Sequence, residues 1–98
     1  MSTAGEARDT MRQDAKWMDP ADNRILECLR DHGNLTPQAV ENSGGPAAST
    51  AQNRLPELRD YGMVELAFGT VGLYRLTDIG RAYLNEELDA STLESVED

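Results

Sequence analysis

Apolar positions change their period along this chain, and the changes mark out its elements. From Pro20 to Gly33, Ala21, Ile25, Cys28, Leu29 and His32 recur at helical spacing, with Leu26 widening the stripe. Asp19 is a suitable N-cap, Pro20 fits the first helical position, Asp22 adds an acidic group to the first turn, and Gly33 is placed to cap the end. A first helix is expected there. Asn34-Leu35 is a link long enough for a tiny strand. Thr36-Pro37 repeats the cap-and-proline start, so Gln38 to Ser43 reads as a short second helix with Ala39 and Val40 facing inward. Gly44-Gly45-Pro46 stops it. Ala48, Ala51, Leu55 and Leu58 then fall three or four residues apart and predict a third helix from Ala47 or Ala48 to Tyr61. Pro56 lies inside it and is expected to kink it or to end its straight first half.

Beyond Gly62 the period shortens to two. Val64, Leu66 and Phe68 share one side of an expected strand, Gly69 to Gly72 is a turn candidate, and Leu73 to Leu76 reads as the returning strand. Thr77 and Asp78 open a last helix with Ile79, Tyr83, Leu84 and Leu88 as its stripe and Ala82 filling in. Residues 1–16 read as a polar arm or a weak helix through Ala7, Met11 and Ala15, and residues 91–98 as an acidic tail, leaving 17–90 as the folded domain. The order helix, helix, helix, hairpin, helix is that of an α+β winged helix-turn-helix, with a three-helix core, a two-stranded wing and a C-terminal helix.

Length and composition narrow the function. A chain of 98 residues is the size of one small domain. It has no apolar run of membrane-spanning length and no secretory leader pattern, and its one cysteine cannot form an internal disulfide. A reducing, cytoplasmic setting is expected. The net charge is -9, which by itself opposes contact with phosphate. The acid is unevenly spread, however. Residues 47–81 balance to zero, whereas residues 82–98 carry six carboxylates and no cation. Lys16 is the only lysine. Scarce lysine with abundant surface acid suits a very salty medium, where the screening length falls to about 3 Å.

The candidate chemistry lies on the third helix. Ser49, Thr50, Gln52, Asn53 and Arg54 stand between its apolar positions and carry the hydroxyls, amides and guanidinium that read base edges in a major groove. Ser49, Thr50 and Asn53 are the expected base contacts, with Gln52 and Arg54 on the flanks. Thr36 and Gln38 at the start of the second helix could meet phosphate through backbone N–H groups. Thr70 at the wing tip and Arg75 on its second strand would approach the backbone or minor groove, although a surface salt bridge is nearly as good a reading of Arg75. Cys28 is expected as a buried small hydrophobe. Metal-ligand clusters, phosphate loops and catalytic arrangements are absent, so no enzyme, metal or cofactor is expected. The rival to DNA readout is a winged-helix module for protein interaction or dimerisation, which the acidic balance favours.

Three blocks, KWMDPADNRILECLRDHGNLTP at 16–37, NRLPELRDYGMVE at 53–65 and GLYRLTDIGRAYLNEELD at 72–89, give the chain a resemblance to winged helix-turn-helix transcriptional regulators of haloarchaea, short proteins similar to a halophage repressor. The resemblance covers about residues 16–89. It implies a regulator, often a repressor, acting as a homodimer on double-stranded operator DNA, with no small-molecule effector evident. Trp17 and Met18 before the first helix, and Tyr83, Leu84 and Leu88 in the last, are the candidate dimer residues, with core packing the first reading of the helical stripes. Ala47 and Ala48 stand where many relatives have Ser, Thr or a basic residue. Asn53 stands beside Arg54 where two arginines are frequent. Both departures lower the positive charge of the reading face.

Overall fold

The computed structural model describes residues 17–93, so the expected arm at 1–16 and the tail beyond Leu93 lie outside the described residues. Four helices and a hairpin follow in the expected order: α1 (Pro20–His32), α2 (Pro37–Asn42), α3 (Ala48–Asp60), β1 (Val64–Leu66), β2 (Tyr74–Leu76) and α4 (Asp78–Leu84). A single 3-10 turn, Ala90–Thr92, follows α4. The helix starts obey the local chemistry. Asp19 and Asp22 form a capping box on α1, and Thr36 and Thr77 accept backbone N–H bonds at the starts of α2 and α4.

The core gathers Ile25, Leu26, Cys28 and Leu29 of α1, Val40 of α2, and Ala51, Leu55 and Leu58 of α3. Met63, Val64, Leu76, Tyr83 and Leu84 close it from the wing and α4. Burial raises the Cys28 thiol above its usual pKa, which suits a packing role rather than a reactive one. His32, counted in the α1 stripe from its spacing, is exposed at the helix end.

The wing is shorter than its alternation suggested. β1 and β2 pair antiparallel over three residues, with Glu65 opposite Arg75, and Leu35 adds a bridge to Tyr74 as the expected tiny strand. The strand does not continue to Phe68. The Ala67 N–H bonds the Leu73 carbonyl, and the chain then enters a 3-10 turn, Ala67–Gly69, with Phe68 at φ 55. Phe68 therefore leaves the Val64 and Leu66 side and stands 77% exposed. Pro56 does not end α3, which runs unbroken to Asp60 with the proline on its exposed face.

The last helix also differs from its stripe. Gly80, Tyr83 and Leu84 face the core, while Ile79 is 41% exposed. Asn85 caps the helix and Glu86 takes a positive φ, so Leu88 lies beyond it and returns to the core edge as a half-buried residue.

Candidate nucleic-acid interface

The reading surface begins with how α3 is rotated. At about 100° per residue, burying Ala51, Leu55 and Leu58 turns Ser49, Gln52, Asn53 and Pro56 to the opposite side, where all four are exposed. Thr50 is half-buried on the flank. None of the four exposed residues carries a charge, and Pro56 has no donor to offer.

Arg54 is the exception among the residues expected to read DNA. Its Nε and one Nη donate to the two carboxylate oxygens of Asp22 at 2.9 Å each, and the same Nη donates to the Trp17 carbonyl at 3.0 Å. Asp22 is fully buried and the Arg54 side chain is 21% exposed. The paired guanidinium has its pKa raised further by this bond. Arg54 thus fastens α3 to the first turn of α1. Asp22 also accepts the Asp19 N–H at 2.9 Å, so one carboxylate serves a helix cap and an interhelical fork.

The start of α3 is closed from within. Ala47 has no side chain to cap it, and Glu41 of α2 accepts the Ala48 N–H at 2.7 Å instead. A carboxylate therefore already sits at the positive end of this helix. The turn leading there fits tightly. A Cβ on Gly45 would meet Val40 Cγ1 at 2.6 Å and Cys28 Sγ at 3.0 Å, so only glycine lets the turn lie on the core. Arg24 reaches across to donate to the Gly44 carbonyl.

A groove of about 580 Å³ runs between α3, the start of α2 and the wing. Thr36, Pro37 and Gln38 form one wall, Ala48, Gln52 and Pro56 another, and Val71, Gly72 and Tyr74 the third. Thr36, Gln38 and Gln52 thus share one groove, with Ser49 and Asn53 on the outer crown of α3 beside it. The Thr36 hydroxyl oxygen accepts the Ala39 N–H, and Gln38 donates to Asn42. Thr70 is exposed at the wing tip. Arg75 pairs with Glu65 at 2.6 Å, both about half exposed, and stands 6.0 Å from the Phe68 ring centre. The salt bridge reading of Arg75 therefore describes this conformation.

Among the described residues cations are few on this side. Arg59 and Arg81 are the described arginines whose guanidinium groups make neither an ion pair nor a hydrogen bond among the described residues, and both are exposed. Arg59 belongs to the last turn of α3.

The candidate dimer residues are mostly committed within the subunit. Tyr83 is fully buried and its hydroxyl donates to Asn23 Oδ1 at 2.8 Å, and Leu84 is 4% exposed. Both pack within the subunit, against α1 and the base of the wing. Trp17 stacks flat on Tyr61, with ring centres 3.8 Å apart, and its indole N–H points to the Ala90 carbonyl at 3.4 Å. Met18 packs beside it on the core edge.

Three helices with a tight α2–α3 turn, an outward polar helix and a flanking hairpin define a winged helix-turn-helix, a class of DNA-binding regulatory protein rather than an enzyme. The winged helix-turn-helix phage repressor family matches residues 11–96, and the chain belongs to that family. A crystal structure of the PhiH1 repressor-like protein from Haloarcula marismortui is similar at 34% identity and a TM-score of 0.75, covering 86% of this chain and 96% of that one. No curated protein matches. The haloarchaeal relative agrees with the acid-rich, lysine-poor composition. Among the described residues no helix is long and apolar enough to cross a membrane, and no group of three or more His, Cys, Asp or Glu could hold a metal ion.

Proposed function

We propose that this protein is a sequence-specific repressor that reads double-stranded DNA with the outward face of α3, acting as a homodimer in the cytoplasm. The observation that carries the proposal is the uncharged polar crown of Ser49, Gln52 and Asn53, set beside a groove lined by α2, α3 and the wing. Amide side chains form paired bonds with adenine in the major groove, and hydroxyls accept several partners. The α2 start and the wing would hold the flanking backbone through Thr36, Gln38 and Thr70. A homodimer is the economical way for so small a reading head to gain specificity, since a single module offers limited contact. The protein-interaction reading is less well supported, because this crown offers amides and hydroxyls rather than an apolar anchor.

The direct test is selection of duplexes from a random pool by the intact protein at high salt, followed by anisotropy titration. Asn53→Ala is expected to weaken the selected duplex by about 5- to 150-fold, the range of one good base contact, and to relax preference at one base position. Unchanged affinity and unchanged preference would remove α3 as the reader.

The charge distribution sets a second expectation. With Arg54 held by Asp22 and Arg75 by Glu65, few cations among the described residues are available to displace counterions from DNA. The slope of log affinity against log salt should be shallow, about -1 to -3 per subunit. A titration between low and molar salt measures it; a much steeper slope would mean that these arginines are released to phosphate on binding.

A further inference from the structure

The wing tip carries an apolar pair that the reading described above does not use. Phe68 is 77% exposed and Val71 is 89% exposed. Both stand on a loop that is held rather than loose. The Ala67 N–H bonds the Leu73 carbonyl at 2.8 Å, the Thr70 N–H bonds the Ala67 carbonyl at 2.8 Å, and the Leu73 N–H bonds the Thr70 carbonyl at 3.2 Å. Ala67, at the root of this loop, is fully buried. Phe68 sits at φ 55 and ψ 24, a left-handed conformation that aromatic residues rarely take. The backbone is therefore strained to hold a large ring out in water, at a position where Gly or Asn would cost less.

We infer that Phe68 is a wedge for the minor groove of the same duplex that α3 reads, with Val71 packing beside it. This inference rests on the DNA-binding reading. Three observations select DNA as the occupant. Val71 lines the groove together with Gln38, Gln52 and Pro56, so whatever fills that groove also meets the wing tip. Among the described residues, Arg75 is the cation beside the Phe68 ring, and in this conformation it is paired with Glu65, so the groups that protrude from the tip are apolar. Two side chains on a loop tip also fall far short of the roughly 800 Å² per partner of a stable protein interface. Apolar side chains inserted between base steps unstack them and bend the duplex, and they need no counterion release to do so. Such a contact suits a protein whose reading face is nearly uncharged.

The test uses the intact protein and a duplex that it selects from a random pool, with 2-aminopurine placed in turn at adenine positions on either side of the block that α3 protects. The wild-type protein is expected to brighten the probe at one flanking step, as the base unstacks. Phe68→Ser should abolish the brightening and weaken binding about tenfold, with the subunit association measured by sedimentation unchanged. Phe68→Trp should keep both. The site is exposed, so Phe68→Ser should fold at least as stably as the wild type, which circular dichroism checks. If Asn53→Ala weakens binding while Phe68→Ser leaves fluorescence and affinity as they were, the wedge is overturned and the α3 reading stands. If Phe68→Ser separates the subunits and affinity falls for that reason, the tip is a dimer contact and the wedge is overturned. If the wild-type protein selects no duplex, both readings fall together.

Discussion

Arg54→Met is expected to destabilise the domain by about 3–5 kcal/mol, a fall in Tm of about 12–40 °C at this size, measured by thermal or denaturant unfolding. Asp22 is the reason. Its carboxylate is fully buried and takes both donors of the Arg54 fork, so removing the arginine strands a charge in the core. The reverse change, Asp22→Asn, should cost less. Asparagine can still accept the Asp19 N–H, and the Arg54 guanidinium, already 21% exposed, can turn toward water. The double variant Asp22→Leu with Arg54→Met should recover part of the loss, since a well-packed apolar pair often replaces a buried ion pair at little cost. Arg54→Lys should fall between, because an ammonium cannot match the two-pronged geometry. These differences should persist at molar salt, where exposed pairs such as Arg30–Asp31 are screened and a buried one is not. Equal stability of wild type and Arg54→Met would show that the fork contributes nothing.

On the DNA-binding reading proposed above, the same pair bears on binding through the position of α3. Arg54 holds the rotation of α3 against the first turn of α1, and that rotation decides which side chains face outward. Loss of DNA affinity in Arg54→Met would therefore not separate a lost contact from unfolding or misrotation of α3. Asn53, whose side chain is exposed and has no partner among the described residues, is the residue on which the reading is to be judged.

Much of this architecture was legible because it is written in local chemistry. Asp19-Pro20, Thr36-Pro37 and Thr77-Asp78 announce helix starts within a few residues, and the stripe Ala51, Leu55, Leu58 fixes the inner face of α3. What escaped the sequence depends on residues far apart. Arg54 lies about 60° from the middle of the buried stripe on a helix with 100° per residue, a position that serves a groove or a buried partner equally. Only the fold brings Asp22 to it, 32 residues away. Phe68 continues the alternation of Val64 and Leu66, and nothing local reveals that Ala67 turns back to pair with Leu73 before the ring can join them. Glu41 capping α3 is a third such case, since Ala47-Ala48 carries no cap signal of its own. Gly80 is the clearest, because a glycine adds nothing to a hydrophobic stripe, and the expectation put Ile79 in its place.

Gly80→Ala is expected to lose about 2–3 kcal/mol, although alanine is the better helix former by about 1 kcal/mol. The loss comes from what lies over the glycine. A Cβ there would fall well inside contact distance of the Met63 carbonyl oxygen and 2.7 Å from Leu76 Cδ1. The leucine side chain can shift, but the carbonyl cannot, because it accepts the Thr77 N–H at 3.0 Å at the mouth of the hairpin. The Thr77 hydroxyl also donates to the Gly62 carbonyl at 2.5 Å, so the first turn of α4 is bonded to the base of the wing at two points. To make room, α4 must move off β1, and those bonds must stretch or the wing must tilt with it. Denaturant unfolding measures the first effect. The second appears as weaker duplex binding by a variant that is still folded at the assay temperature, since the wing forms one wall of the groove beside α3. An unchanged midpoint would mean that α4 shifts freely on the wing, and the wing would then have no fixed angle to the reading helix.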